Sequence, residues 1–206
     1  MNLYNADCLD IMREMPDKSV DLVITDPPYG IGEDGGRCRT RGSDHTNGDC
    51  LEWDDKTPSK EYFDEMFRVS KNQIIFGGNY FELPISRGWI YWQKDMGGDF
   101  GDGELAWTSF DRVLKQFRKR SETFNRFHPT QKPVKLFEWI IRNYAKEGDV
   151  ICDPFFGSGA CLVAAVRLGH PIIGVEKEKV YFDKAKARIE NAQRQGKLSS
   201  WGMVLA

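Results

Sequence analysis

Two short strings in this chain carry residue types that can do chemistry at fixed positions. The first is Asp26-Pro27-Pro28-Tyr29, directly after the apolar run Asp21–Thr25. Successive prolines fix the backbone and remove two N–H donors. The Asp26 carboxylate and the proline carbonyls remain as acceptors beside an aromatic face, an arrangement that can receive an NH₂ group. Taken alone, the tetrapeptide reads equally as a rigid strand-to-loop turn with a solvated aspartate. The second string is Asp153-Pro154-Phe155-Phe156-Gly157-Ser158-Gly159-Ala160. Its glycines let a backbone approach a ligand, and a helix N-terminus favours an anionic group. Glu176 closes the next apolar run, about 20 residues further on, where an acidic residue of a nucleotide-binding fold takes a ribose diol. Neither G-x-G-x-x-G nor G-x-x-x-x-G-K-[ST] occurs, so an adenosine compound other than NAD or ATP is the better ligand.

These strings need elements to position them. Strands are expected at Leu3–Asn5, Asp21–Thr25, Gln73–Phe76, Trp89–Gln93, Leu105–Ser109, Val150–Cys152 and Ile172–Val175. Several are rich in β-branched or aromatic residues and bounded by Gly, Pro or Asp, as in buried parallel strands. Helical patterns alternate with them, which predicts an α/β fold. Asp7 is a good N-cap for a helix keeping Leu9, Met12 and Met15 on one face, and Ser59 can cap one with the stripe Tyr62, Phe63, Met66 and Phe67. Leu136, Trp139, Ile140 and Tyr144 mark another helix. Ala160–Leu168 is almost wholly apolar and stops at Gly169, and Tyr181, Ala185 and Ile189 mark the last.

Composition narrows the class. The 206 residues, 40% hydrophobic and 29% charged with a net charge of −2, suit one globular domain. Bulk charge points to no nucleic-acid or membrane partner. No apolar run approaches bilayer length and the N-terminus lacks a signal-peptide pattern, which predicts a cytoplasmic protein without a membrane partner. Five cysteines without regular spacing suit a reducing compartment. Cys38, His45 and Cys50 share one polar loop, but their spacing fits no paired zinc pattern and a fourth ligand is missing, so no metal is expected. Cys152 and Cys161 read as core packing. Residues 31–58 and 94–103 are polar and Gly-rich without a countable period. Long irregular stretches in a compact domain are usually functional.

Together these strings make the chain similar to the DNA amino-methyltransferases that use S-adenosylmethionine. DPPY looks like their catalytic motif and DPFFGSG like their cofactor motif. The catalytic motif comes first, as in the circularly permuted β-class. His128-Pro129-Thr130-Gln131-Lys132-Pro133 matches the family's HPTQKP signature, Asn5-Ala6-Asp7 stands where the family holds the cofactor's adenine, and FGGNY at 76–80 and WIYWQK at 89–94 resemble its weaker middle motifs. The resemblance covers nearly the whole chain. It implies a Rossmann-like S-adenosylmethionine-dependent methyltransferase fold: a seven-stranded, mostly parallel sheet with helices on both faces, in one domain over 1–206. In it Trp89–Gln93 and Leu105–Ser109 form an antiparallel edge, and Leu3–Asn5 lies beside Ile172–Val175.

The resemblance also implies roles. Asp26, Pro27, Pro28 and Tyr29 are the catalytic set, with the Asp26 carboxylate and Pro27 carbonyl accepting from the target amine and Tyr29 stacking on a flipped base. Asp7, Cys8, Asp26, Thr130, Gln131, Lys132, Asp153, Phe155, Gly157, Ser158, Gly159 and Glu176 hold the cofactor. Within that set Asp153 meets the methionine amine, backbone N–H groups at 130–132 its carboxylate, and Glu176 the ribose. His128 positions its loop or acts as a base, Lys132 pairs with a phosphate or faces solvent, and Trp53 and Trp107 are candidates for base contact. DPPY favours adenine N6 as the target, with cytosine N4, an RNA adenine or a non-catalytic cofactor- or DNA-binding module as alternatives. DNA contacts are expected from polar insertions near 31–58 and 94–127, through Arg37, Arg39, Arg41, Arg112, Lys115, Arg118, Lys119, Arg120 and Arg126. The alternative for both is a solvated or unstructured loop. Larger relatives carry a target-recognition region before HPTQKP for which there is little room here. A homodimer and a restriction-modification setting are further implications of the family.

Overall fold

A strand buried on both faces reads as a continuous apolar run, and Val20–Thr25 is such a run. The computed structural model describes residues 1–32, 53–94, 101–119 and 127–202. In chain order these form β1 (Asn2–Tyr4), α1 (Cys8–Arg13), β2 (Val20–Thr25), α2 (Lys60–Val69), β3 (Ser70–Phe76), β4 (Trp89–Gln93), β5 (Gly103–Thr108), β6 (Lys115–Arg118), α3 (Val134–Tyr144), β7 (Ile151–Asp153), α4 (Ala160–Arg167), β8 (Ile172–Val175) and α5 (Lys179–Gly202). A single 3₁₀ turn spans Gly78–Tyr80.

The strands form one sheet in the order β1-β8-β7-β2-β3-β5-β4-β6. From β1 through β3 all neighbours are parallel. β5 then runs antiparallel to β3, β4 antiparallel to β5, and β6 parallel to β4. The expected pairing of the first strand with Ile172–Val175 is present, with Leu3 opposite Gly174. The described sheet has eight strands rather than the expected seven. The extra one is β6, whose KQFR has no apolar alternation. It is held at the edge by pairing with β4, and Phe117 is the one side chain it packs on the core, against Trp139. The antiparallel section is therefore internal, and β6 is the edge.

Alternation along the central strands builds a core on each face. Leu22, Ile24, Ile74 and Phe76 pack with α3, α4 and α5, while Val23 and Ile75 pack with α1 and α2. Asp7 caps α1 as expected, its Oδ1 accepting from the Leu9 N–H at 3.1 Å. Ser59 precedes α2 without a side-chain cap bond. The sequential packing of α2, through Phe63, Met66 and Val69, follows the helical period read from the sequence. No described helix is long and apolar enough to cross a membrane.

Candidate active site

Four adjacent parallel strands point their C-terminal ends the same way, and each delivers a carboxylate there. In spatial order, β1 leads to Asp7, β8 to Glu176, β7 ends on Asp153 and β2 leads to Asp26. Together they line a cavity of about 610 Å³. Ligands of open α/β sheets bind at this end of the strands.

Each carboxylate is held differently. Asp7 Oδ2 accepts from the Tyr62 hydroxyl at 3.1 Å and faces Lys177 Nζ at 3.3 Å. Burial works to raise its pKa, but the Leu9 N–H, Tyr62 and Lys177 outweigh it and hold the group below the usual carboxylate value. Glu176 accepts from the N–H groups of Gly157 at 2.9 Å and Glu178 at 2.7 Å, and burial keeps its pKa raised. Asn5 ties β1 to the same corner by donating to the carbonyls of Glu176 and Lys177, each at 2.9 Å. Asp153 accepts from Thr25 Oγ1 at 2.9 Å and from the Phe155 N–H at 3.2 Å. It is buried with no cation among its described partners, and burial pushes its pKa up to about 7. Gly157 has φ +47°, and a Cβ there would come within 3.1 Å of His128 Nε2, so the loop needs glycine for both conformation and space. His128 packs against Trp53 and Tyr181, with Nδ1 3.2 Å from Thr130 Oγ1. That placement fits its loop-positioning reading.

A second cavity, of about 450 Å³, opens on the other side of Asp26-Pro27-Pro28-Tyr29. Asp26, Pro28, Trp53, Thr130, Gln131 and Lys132 line both cavities. Within this shared wall the buried Gln131 Oε1 and Trp53 Nε1 have no hydrogen-bond partner among the described residues. An acceptor and a donor are thus left for a ligand, as buried polar groups require.

Asp26 sits in a network of charges. Its Oδ1 accepts from the Tyr29 hydroxyl at 2.6 Å and its Oδ2 from Lys132 Nζ. Lys132 also pairs with Glu104 at 2.9 Å, and Glu104 with Lys94. Burial pushes Asp26 up against the opposing pull of Lys132. Glu104, half-buried, is held at about 2 by Lys132 and Lys94. The same two carboxylates outweigh burial at Lys132 and raise its pKa, so it stays an ammonium. Asp54 closes the loop from the far side, its Oδ1 accepting from the Gly30 N–H at 2.9 Å.

Several sequence expectations change here. Lys132 neither faces solvent nor meets a phosphate: its side chain is 4% exposed and enclosed by Asp26 and Glu104. Every expected cofactor-site residue lines the first cavity except Gly159. Gly159 instead starts α4 at φ +71° and packs on α5, where a Cβ would lie 3.0 Å from Ile189. Tyr29 does reach the second cavity, but its ring is already stacked on Tyr80, with centroids 4.8 Å apart and planes at 9°. Trp107 is a core residue donating to the Pro84 carbonyl, so it meets no base, whereas Trp53 lines both cavities.

The expected DNA residues divide as well. Arg112 lies over the rings of Phe110 and Tyr144 and donates to the Asn143 carbonyl at 2.7 Å, which commits it to the protein's own surface. Lys115 and Arg118 bound the edge strand β6 rather than a loop, and Lys119 follows it. Arg37, Arg39, Arg41, Arg120 and Arg126 lie outside the described residues, as do Cys38, His45 and Cys50. Thr25, Asp54, Tyr80, Lys94 and Glu104 were not legible as site residues. Of these, Thr25, Tyr80 and Lys94 had a signal, since each adjoins or ends a motif already in view.

The N6/N4 methyltransferase family model, described as DNA methylase, matches residues 80–187, more than half of the chain. The chain belongs to that family. The match spans Tyr80, HPTQKP, the cofactor string and Glu176. YubD of Escherichia coli (strain K12), a protein named as a methylase, is 27% identical over 92% of this chain and 90% of its own length. The type II methyltransferase M.HinfI of Haemophilus influenzae is 26% identical over 91% of this chain and 67% of its own. Among solved structures, the M1.HpyAVI–SAM complex superimposes with a TM-score of 0.59 at 25% identity, covering 91% of this chain and 98% of that one. Asp26-Pro27-Pro28-Tyr29 precedes the string at 153–160, so this is the circularly permuted β-class arrangement, on a Rossmann-like methyltransferase fold. The protein is a DNA amino-methyltransferase of the S-adenosylmethionine-dependent type.

Proposed function

We propose that this methyltransferase acts on the N6 amino group of adenine in DNA, with the target base turned out of the duplex into the second cavity. The shared wall carries the reading: one cavity fits a cofactor, the other a base, and Asp26 stands between them. An amine inside a duplex cannot reach an acceptor recessed in a cavity, so the base must leave the stack.

The first cavity fits S-adenosylmethionine. It offers Asp7 and Cys8 for the adenine, Glu176 for the ribose hydroxyls, Phe155 and Ser158 as walls, and the backbone at 130–132 for the carboxylate. The uncompensated Asp153 suits its ammonium, and the unpaired Gln131 oxygen adds a second acceptor on the shared wall. When bound, the cofactor supplies a methyl group activated by a sulfonium.

The chain's own residues do the rest. An exocyclic amine is a weak nucleophile because its lone pair is delocalised into the ring. Acceptors aimed at its two hydrogens localise that pair and stabilise the positive charge that develops on nitrogen. The Asp26 carboxylate and Pro27 carbonyl are those acceptors. A carboxylate has about four acceptor positions, of which Tyr29 and Lys132 use two. Lys132 pulls the Asp26 pKa down against burial, and Glu104 pairs with Lys132 from its other side, so two carboxylates and two basic side chains share one cluster. The rigid prolines hold the acceptors in place, so alignment accounts for much of the remaining rate.

Aspartate at position 26 supports adenine, since by resemblance the cytosine-N4 members more often carry serine there. Cytosine N4 is the second reading: it offers the same two hydrogens, and the fold is similar to that of the cytosine-N4-specific PvuII methyltransferase at a TM-score of 0.60 and 14% identity. The test incubates unmethylated DNA, and separately RNA, with methyl-labelled cofactor and identifies the labelled nucleoside after digestion. N6-methyldeoxyadenosine supports the proposal. N4-methyldeoxycytidine replaces it with the second reading, a methylated ribonucleoside removes DNA as the substrate, and cofactor binding without transfer makes the chain a non-catalytic module.

A further inference from the structure

We infer that Tyr80 is a stand-in for the target base: without DNA its ring occupies the stacking place on Tyr29, and the incoming base must displace it. The inference rests on the base-flipping reading above and adds a residue that sets how readily a base is accepted.

Besides the Lys132 ammonium, 5.7 Å from its centroid, three groups surround the Tyr29 ring. The Gly77 backbone lies against it so closely that a Cβ there would fall 2.1 Å from Cε1. Phe81 meets it edge-on, at 6.1 Å and 64°. Tyr80 covers it in parallel, at 4.8 Å and 9°. The first two are built in: Gly77 is buried and bonded to the Leu105 carbonyl at 2.8 Å, and Phe81 packs on the buried Phe63 at 4.9 Å. Tyr80 alone is free to leave. It is 47% exposed, ends the one-turn 3₁₀ helix, and lines the second cavity.

The position matters because the Tyr29 hydroxyl is bonded to Asp26. A planar base stacked on Tyr29 has its exocyclic amine beside that carboxylate, and Tyr80 holds this stacking place. A parallel aromatic pair of this kind is the protein's equivalent of base-on-aromatic stacking. An apolar face beside a buried charge cluster is thereby kept covered until a base replaces the cover. The replacement has a consequence for affinity. A site whose competent state is only partly populated binds more weakly in proportion to that fraction. A base must out-stack Tyr80, which favours a large purine over a pyrimidine.

The test begins with wild-type enzyme and unmethylated DNA, followed by sequencing that detects modified bases. If the wild type methylates nothing, the proposed function fails rather than this inference. With sites mapped, duplexes carrying a fluorescent base analogue at the target position are titrated without cofactor, and kcat and KM are measured on the natural duplex. Tyr80→Ala is expected to bind the duplex more tightly and to lower KM by roughly two- to tenfold, the range of a single aromatic pair. Tyr80→Phe, which keeps the stack, is expected to track the wild type. Tyr80→Leu, with bulk but no stacking face, is expected to follow Tyr80→Ala and replaces it if that variant is unstable. Unchanged or weaker duplex binding in both Tyr80→Ala and Tyr80→Leu overturns the inference, because Tyr80 is then either uninvolved or part of the wall on which the base rests.

Discussion

Lys132 and Asp26, 106 residues apart in the chain, form an ion pair in the wall between the two cavities. The ammonium is buried and spans Asp26 on one side and Glu104 on the other. A buried charge is tolerated only when paired, so the pair and its extension to Lys94 behave as one unit.

Asp26→Ala tests the acceptor role most directly. Lys132 keeps Glu104 as a partner, so the fold is expected to survive. Methyl transfer is expected to drop by at least about 10²-fold, the usual cost of losing a preorganised electrostatic group. Cofactor binding, measured by calorimetry, is expected to persist. Substantial turnover in this variant removes the catalytic assignment.

Lys132→Met separates charge from shape. Without the ammonium, burial and the facing Glu104 both raise the Asp26 pKa. The acid limb of the pH–rate profile is expected to move up by about 1–3 pH units, the scale of one close opposite charge. Lys132→Arg retains the charge and is expected to leave the limb nearer the wild-type position. An acid limb that stays in place in Lys132→Met disconnects Lys132 from Asp26.

Asp153 gives cofactor binding a pH dependence. With its pKa pushed up to about 7 by burial, the free protein keeps this group protonated in mildly acidic solution. Pairing with an ammonium needs the carboxylate, so cofactor affinity is expected to rise with pH through about 7, with proton release below it. The same shift destabilises the cofactor-free fold as pH rises from about 4 to about 7, because over that window the folded state binds more protons than the unfolded chain. Calorimetry in buffers of different ionisation enthalpy measures the released proton. Asp153→Asn is expected to abolish the release, and an unchanged release in that variant rules Asp153 out as its source.

Gly159→Ala distinguishes packing from ligand contact. Gly159 sits at φ +71° with Ile189 3.0 Å from any added Cβ, and does not itself line the first cavity. A non-glycine residue in this region costs about 1–3 kcal/mol. The melting temperature is expected to fall while KM for the cofactor stays near wild type. A raised KM with normal stability returns Gly159 to the cofactor site.

What could be read early was local. Asp26-Pro27-Pro28-Tyr29 and Phe155–Gly159 are contiguous, and their proline and glycine chemistry acts within a few residues of itself. The apolar run of β2 likewise announced a central strand, because burial on both faces needs an unbroken hydrophobic stretch. β6 escaped notice because Lys115–Arg118 turns only Phe117 toward the core and is otherwise fixed by its pairing with β4. Glu104 escaped because nothing in GELAWT marks a carboxylate that faces a lysine 28 positions later.

The sequence by itself determined the chemistry on offer: which acceptors, which glycines, in which order. It also determined that the strings start where strands end, since apolar runs lead into them. Only the tertiary structure decided which of those groups meet. The order β1-β8-β7-β2 brings Asp7, Glu176, Asp153 and Asp26 to one edge although they come from opposite ends of the chain. It set Lys132 between two carboxylates rather than in solvent, moved Gly159 into a helix contact, and laid Tyr80 on Tyr29. The physical reason is common to all four: backbone preferences act between covalent neighbours, whereas charge pairing, packing and stacking depend on distances that exist only once the sheet has assembled.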